Sequence, residues 1–521
     1  MARFILSSWI RTLPFICIAF CTTSIFFFLP PSTLDLFVFN ADFLYLPSLY
    51  KSIFEEQNPI RDWYLTPAPY FFPDFFIYSI IQSLAQNFRI SIILTNASLI
   101  TLISLLLYML VRKISNAKFL QAFVWMGIAF LFVIWINALT GHYLLVQFIF
   151  TISNHAGNII NTLLCAILAV HIFQEKKLRI GYWILFFLIL ILSLVSDNLF
   201  FLTFVIPFTI IGILLLIRQF SKRSFLFFLW HATAVVAGMV LSNNLRFFAY
   251  HVNKVKTKWE RMPESIDFFW DVCSFFARHY TPFVVILLFI IAYSIFILIS
   301  RMFQIKRQEI QPPDLLLFFS FLAAFASLSM AVLGGYHWNL DTIRYYIVPV
   351  YVFVLIGSVH FFSLYVLRKS IRIALVLIIL LYGSFMFFKS EQQSFIRIDR
   401  YTPSHINRII HIADSLQLQN GITDYWAAKP VYMFSNGQHI MAAMYDQMFY
   451  PYHHISNIRW AWGPEFTFAY ITDYAPVNKE IIDSITLQTI PVTTGSMFHV
   501  TKPFRLEKET KQPILVPIKE M

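Results

Sequence analysis

Residues 90–111 read ISIILTNASLITLISLLLYMLV, and the next two residues are Arg112 and Lys113. The run contains no charge until its end. As a helix rising 1.5 Å per residue, it spans about 30 Å, the thickness of a bilayer's hydrocarbon core. The same pattern recurs along the chain, near 12–30, 119–138, 157–173, 180–195, 199–217, 224–241, 281–300, 315–333, 345–366 and 373–388. About eleven spans of roughly 16–22 residues result. Two weaker stretches, 71–88 and 144–153, are broken by Pro73-Asp74 and by Ser153-Asn154-His155. Polar breaks at membrane depth must face protein or water. If both stretches cross, the total is thirteen. The expected fold is therefore an all-α polytopic membrane protein with about 11–13 transmembrane helices.

Composition excludes the competing classes. Of 521 residues, 58% are hydrophobic and 13% charged, and mean hydropathy is +0.67. A soluble domain is roughly 25% charged. A soluble enzyme, a disordered chain and a nucleic-acid binder are all ruled out. The net charge of +12 is explained by loop placement. Arg112, Lys113 and Lys118 close one loop. Lys176, Lys177 and Arg179 close the next, followed by Arg218, Lys222 and Arg223, then Arg301, Lys306 and Arg307, then Arg368, Lys369 and Arg372. Every second loop is basic, as positive-inside orientation requires, and the intervening loops at 139–156, 196–198 and 334–344 are almost free of Lys and Arg; the long loop 242–280 breaks the trend, since long loops translocate largely regardless of charge. Arg3 and Arg11 precede the first run and Pro30-Pro31 follows it, so that run reads as an uncleaved helix with its N-terminus inside. An odd number of spans places the C-terminus outside. The four cysteines offer neither a disulfide framework nor a CxxC metal site.

Two domains follow from the change in composition. Residues 1–388 form the transmembrane domain, with large exoplasmic loops at 31–70 and 242–280. In residues 389–521 Asn, Gln, Asp, His, Trp and Tyr replace Leu, Ile and Phe. Ser404–Leu416 has the period of an amphipathic helix, and Phe466–Thr472 and Ser496–Thr501 read as strands. The tail is expected to be a small α/β exoplasmic domain.

Residues able to carry chemistry cluster on the outer side. Asp42 lies about a dozen residues beyond the first helix. Near the membrane surface it can act as a general base for a hydroxyl or amine, or bind a metal; it can equally be a helix cap. His155 and Asp197 sit at breaks between apolar runs. With Asp42 they could bind a divalent cation or relay a proton, or they could be a hydrogen-bonded break and a turn carboxylate. The loop 242–280 carries Arg246, Lys254, Lys256 and Lys258 among aromatic residues, which suits an anionic lipid phosphate or nonspecific headgroup contact. His337, Asp341, Arg344 and Tyr345 crowd a further loop. Arg344 can fork onto a phosphate or pair with Asp341 three residues earlier. Trp426 and Trp460 can stack on sugar faces or serve as core and interface anchors. No Walker loop, GxSxG elbow or HExxH motif is present.

The order of features in residues 10–113 carries a resemblance. A first helix is followed by a loop with an early Asp in Asn40-Ala41-Asp42-Phe43-Leu44-Tyr45-Leu46-Pro47. Next come the Pro-flanked aromatic stretch Thr66-Pro67-Ala68-Pro69-Tyr70-Phe71-Phe72-Pro73, Arg89, and a long helix ending in Leu110-Val111-Arg112-Lys113. This resembles the N-terminal third of GT-C-fold glycosyltransferases, such as protein O-mannosyltransferases and lipid A aminoarabinose transferases. Beyond residue 113 the likeness is architectural only. The resemblance implies an inverting transferase of the bacterial inner (cytoplasmic) membrane, with an exoplasmic tail facing the periplasm. Such an enzyme takes its sugar from a polyprenyl-phosphate donor and needs membrane lipid and no nucleic acid; a monomer is expected. The resemblance makes Asp42 catalytic. Two departures stand out: Phe43 occupies the place of the family's second acid, and Pro67-Ala68-Pro69 replaces its Pro-Pro-Leu. The alternatives are a transporter or flippase of lipid-linked glycans and a non-catalytic assembly or sensor protein. The cofactor is left open, with a divalent cation as the one candidate.

Overall fold

The computed structural model describes residues 19–127, 155–303, 312–364, 396–472 and 486–517, together with Leu377 and Leu381. It omits 21–22, 25, 117–118, 122, 125, 175–178, 219, 246–248, 250, 253–256, 280, 336–339, 445–450, 453, 493–494 and 507–514. The stretches 144–153 and 373–388, except for Leu377 and Leu381, and most of 12–30 and 119–138 lie outside the described residues.

Helices dominate. The first loop holds α1 (Pro31–Phe37) and α2 (Tyr45–Tyr50), and α3 (Phe76–Ala85) follows it. The apolar runs then appear as α4 (Phe88–Ile114), α5 (Ala156–Gln174), α6 (Ile180–Ser196), α7 (Ile206–Arg218), α8 (Lys222–Asn243), α10 (Thr281–Phe303), α11 (Pro312–Leu333) and α12 (Leu340–Leu364). Between α8 and α10, where the sequence was read as a loop, lies the amphipathic α9 (Met262–His279). It buries Ser265, Val272 and Phe276 along one side while Trp270 stays exposed. Among the described residues, four helices are long and apolar enough to cross a membrane: α4, α5, α8 and α11. The helical and apolar character expected of a membrane protein is thus present.

Helix α4 shows how its sequence sets its limits. Gln86 ends α3 in the left-handed region. The Asn87 side chain then accepts hydrogen bonds from the N–H groups of Arg89 and Ile90, capping the new helix. Arg112 and Lys113 occupy its last turn, where cations complement the helix dipole.

Polar contacts gather at two ends of the bundle. At one, Lys113 Nζ lies 2.5 Å from His171 Nδ1 and Arg223 Nη2 donates to the Ile172 carbonyl. Buried His360 bridges Asp314 and Tyr293, at 2.8 Å to each. At the other end, the N–H of Tyr70 donates to the Ser196 carbonyl at 3.0 Å and Asn198 Nδ2 to the Pro67 carbonyl at 3.3 Å. Ser242 Oγ donates to Asn198 Oδ1 at 3.2 Å. The loops read from charge as exoplasmic therefore touch one another.

The tail is an α/β unit. Helix α13 (Ser404–Ser415) and strand β6 (Phe466–Thr472) match their expected positions, and the strand expected at 496–501 is part of the longer β8 (Gly495–Leu506). With β3 (Asn420–Thr423), β4 (Ile440–Ala443) and β7 (Thr486–Val492), they form a sheet ordered β4-β3-β6-β8-β7, to which β9 (Leu515–Pro517) adds at β8. Helix α14 (Tyr425–Phe434) connects the parallel pair β3 and β4. A second small sheet joins three distant segments. In it β1 (Trp63–Leu65) of the first loop pairs with β2 (His251–Val252) and with β5 (Ser456–Asn457) of the tail.

The first loop is not a surface connection. Leu34, Phe39, Phe43, Leu44, Leu46, Leu49 and Trp63 are buried in one cluster with Tyr432, Met433 and Trp460 of the tail. Arg89 closes the edge of this joint. Its Nε donates to the Tyr401 carbonyl at 2.6 Å, Nη2 to Thr402 Oγ1 at 3.3 Å, and its guanidinium lies 4.8 Å from the Phe434 ring centre. Replacing it with Met removes the donors and leaves a partly buried carbonyl without this partner, at a cost of about 1 kcal/mol. We expect Arg89→Met to speed limited proteolysis between residues 396 and 403 several-fold in the solubilised full chain, with other cleavages unchanged. An unaltered digestion pattern would show that Arg89 does not clamp the joint.

Candidate functional site

Asp42 is placed by an Asx turn. Asn40 Oδ1 accepts hydrogen bonds from the N–H groups of Asp42 at 2.9 Å and Phe43 at 3.0 Å. The turn drives Phe43 into the apolar joint, where it is 1% exposed, and leaves the Asp42 carboxylate half-buried against the tail. Phe43, which stands where the resemblance would put a second acid, is a core residue.

The carboxylate meets helix α14. Tyr425 Oη donates to Asp42 Oδ1 at 2.5 Å. Tyr425 is the first residue of α14, and the helix start is fixed by Asp424, whose Oδ1 accepts from the N–H groups of Trp426 at 2.8 Å and Ala427 at 3.0 Å. Lys429 lies one turn further on, on the same face. Its Nζ sits 4.3 Å from the Tyr425 ring centre and donates to the Ile455 carbonyl at 2.9 Å. Lys429 is 2% exposed. Burial pushes its ammonium down to about 7, opposed by the charge of Asp42. The rings of Tyr452 and His454 pack against Tyr425, at 5.2 and 5.6 Å. Burial, with Lys429 adding to it and Asp42 opposing, pushes His454 down to about 4. A carboxylate, a phenol, a buried amine and a neutral imidazole thus share one corner between loop and tail.

A second polar cluster sits at the helix breaks. His155, with φ of +65°, precedes α5, and Asp197 follows α6. His155 Nδ1 and Asp197 Oδ2 are 2.5 Å apart. The same oxygen accepts from Asn158 Nδ2 at 3.3 Å, and Asp197 Oδ1 accepts from the N–H of Leu199 at 2.9 Å. Tyr70 Oη lies 3.4 Å from His155 Nε2. Asp74 is buried nearby, and a Cβ on Gly157 would fall 1.8 Å from its Oδ2, so only glycine lets α5 approach that carboxylate.

The structure thus pairs His155 with Asp197, while the hydrogen bond described for Asp42 goes to Tyr425. Among the described residues, no three His, Cys, Asp or Glu side chains are grouped to hold a metal ion. The pair sits at the breaks of α5 and α6, and Asp42 meets the tail through Tyr425.

The remaining candidates divide. Lys258 is half-buried, and its N–H donates to the Gly334 carbonyl at 2.9 Å. Gly335, at φ +70°, fits beneath it, since a Cβ there would lie 2.1 Å from the Lys258 carbonyl oxygen. The basic loop therefore abuts the turn leading into α12, whose first turns contain Asp341, Arg344 and Tyr345. The side chains of those three, and Arg246, Lys254, Lys256 and His337 entirely, lie outside the described residues. Trp460 is buried, its ring 5.5 Å from Trp63 and 4.7 Å from Tyr432. Its faces are occupied by core, as the anchor reading requires. Trp426 is exposed on α14.

Sequence reasoning assigned no site role of their own to Tyr425, Lys429 and Asp74. The i, i+4 spacing of Tyr425 and Lys429 was a usable signal, as was a carboxylate inside an apolar stretch. The partnership of Asp42 with α14 had none, because the two lie far apart in the chain. Comparison with protein-family models and with curated proteins finds no match to this chain.

The lowered affinity of Lys429 for its proton sets the pH dependence of stability. Between about 7 and 10.5 the unfolded chain binds the proton that folded Lys429 has shed, so stability rises with pH across that window. The slope approaches one proton, about 1.4 kcal/mol per pH unit. The thermal midpoint of the solubilised chain should climb from pH 7 to pH 9.5, and Lys429→Met should flatten the climb. A flat wild-type profile, or an equal slope in the variant, would rule this out.

Proposed function

We propose that the chain is an integral membrane glycosyltransferase with a GT-C-like architecture. It moves a sugar from a polyprenyl-phosphate carrier to an acceptor at the exoplasmic face of the bacterial inner membrane. Its N-terminus is cytoplasmic and its tail lies outside. The observation that supports this reading is the contact of Asp42 with α14, which gives the first-loop carboxylate a built, partly buried setting shared by loop and tail.

The reaction is a single displacement. Asp42 takes the proton of the acceptor hydroxyl or amine. The acceptor's oxygen or nitrogen forms a bond to the anomeric carbon as the bond from that carbon to the phosphate oxygen breaks. Polyprenyl phosphate departs with the electron pair, and the configuration inverts. Cations near the developing phosphate charge lower the barrier. Lys258 and Arg344, on segments that meet at Gly334-Gly335, suit that role.

The test uses the purified full chain in nanodiscs. Undecaprenyl phosphate carrying radiolabelled hexoses, pentoses or aminopentoses is supplied with extracted envelope acceptors. Transfer from at least one donor is expected, and Asp42→Asn should reduce it at least a hundredfold while expression and thermal midpoint hold. Full activity in that variant, or transfer from no donor, would sink the assignment.

A further inference from the structure

We infer that Tyr425 and Lys429 are positioning residues for Asp42, so that the tail supplies the groups that orient the first loop's base. The inference rests on the transferase reading and adds to it a role for α14. Three observations combine. The phenol of Tyr425 donates to Asp42 Oδ1 at 2.5 Å, which fixes the rotation of the carboxylate. The ammonium of Lys429 lies over the Tyr425 ring at 4.3 Å. In its protonated form, held below about pH 7, this amine draws electron density from the ring and makes the phenol a stronger donor. The Lys429 side chain is itself held, because its Nζ donates to the Ile455 carbonyl and its stem is enclosed.

Burying an amine so deeply costs stability, and no apolar packing argument accounts for it. A methionine of similar length would fill the same space without the desolvation cost. The amine instead sits where its charge acts on Tyr425 and, through it, on Asp42. Natural chains retain such unfavourable groups where function needs them. His454 and Tyr452 complete the wall around the Tyr425 ring, leaving it little freedom to turn away. Neither Tyr425 nor Lys429 takes the acceptor's proton.

The experiment applies the same nanodisc assay and donor panel to Tyr425→Phe, Lys429→Met, Lys429→Arg and the double variant Asp42→Asn/Tyr425→Phe. Tyr425→Phe should lower kcat at least tenfold and change the KM for donor less than threefold. Lys429→Met should lower kcat similarly without lowering the thermal midpoint at pH 7, and Lys429→Arg should restore part of the loss. The double variant should be no slower than Asp42→Asn alone, because the phenol acts only through the carboxylate. Wild-type kcat in Tyr425→Phe and Lys429→Met, with Asp42→Asn inactive, would overturn this inference and leave the transferase reading standing. Parallel losses of kcat and thermal midpoint would also overturn it, since they mark a structural role. Full activity in Asp42→Asn, or no transfer by the wild type, would overturn both.

Discussion

The molecule turns on the burial of its first loop against its tail. Phe39, Phe43, Leu46 and Trp63 have no sheet or helix of their own large enough to cover them. They are removed from water by Tyr432, Met433 and Trp460, which the tail presents from α14 and the segment after β5. Burying side chains of this size stabilises by roughly 1.5–3 kcal/mol each. Neither partner can keep that gain alone. The hydrogen bonds at the joint are placed by this packing: Trp63 Nε1 and Asn457 Nδ2 both donate to Ser52 Oγ, and Arg459 Nε meets Asp62 at its rim. Of these the exposed Arg459–Asp62 pair contributes least, because water screens it.

Polar groups inside the bundle obey a different constraint. In an apolar surrounding an unpaired hydroxyl, amide or carboxylate is costly. Asn158, Thr162 and Thr203 therefore bond to one another where α5 passes the turn before α7. The His155–Asp197 pair continues that network toward the loop side, and Tyr70 connects it to the aromatic stretch. The network ties three helix breaks together, and Gly157 lets Asp74 approach it. At the opposite end Asp314, His360 and Tyr293 solve the same problem with one imidazole accepting or donating on both sides.

What could be read from the residues in advance depended on how local the cause was. Helices α4, α5, α6 and α8 follow from unbroken apolar length, and the Asn87 cap and Arg112-Lys113 set the ends of α4 as the Ser221 cap sets the start of α8, so their positions were legible to within a few residues. Strand β6 and helix α13 were legible for the same reason, since their periodicity is contained within them. The amphipathic α9 was missed because a loop rich in charge masked its spacing. The candidate site was only half legible. Asp42 could be singled out by its distance from the first helix, and His155 and Asp197 by their place at breaks. Which carboxylate faced which partner was decided by the tail's packing, a long-range property that no local window contains. Trp460 illustrates the same limit: its ring chemistry suits either a sugar or a core, and only Trp63 and Tyr432 decide between them.

The division of the corner between two segments has a consequence for how it can be held. A carboxylate on a loop alone would rotate freely and point with little precision. A base must lie within hydrogen-bond reach of the proton it takes, and an error of an ångström is expensive in rate. Here the loop is fixed by burial of Phe43 on one side of Asp42 and by Tyr425 on the other. Tyr425 is fixed in turn because it opens a helix whose cap, Asp424, and whose fifth residue, Lys429, are both anchored. Rigid secondary structure thus reaches the carboxylate through the Tyr425 phenol. Charge follows the same path, since the Asp42 carboxylate favours the protonated form of the buried amine across the ring of Tyr425. An arrangement of this kind stays ordered only while the tail is seated, which makes docking of the tail and readiness of Asp42 one structural event.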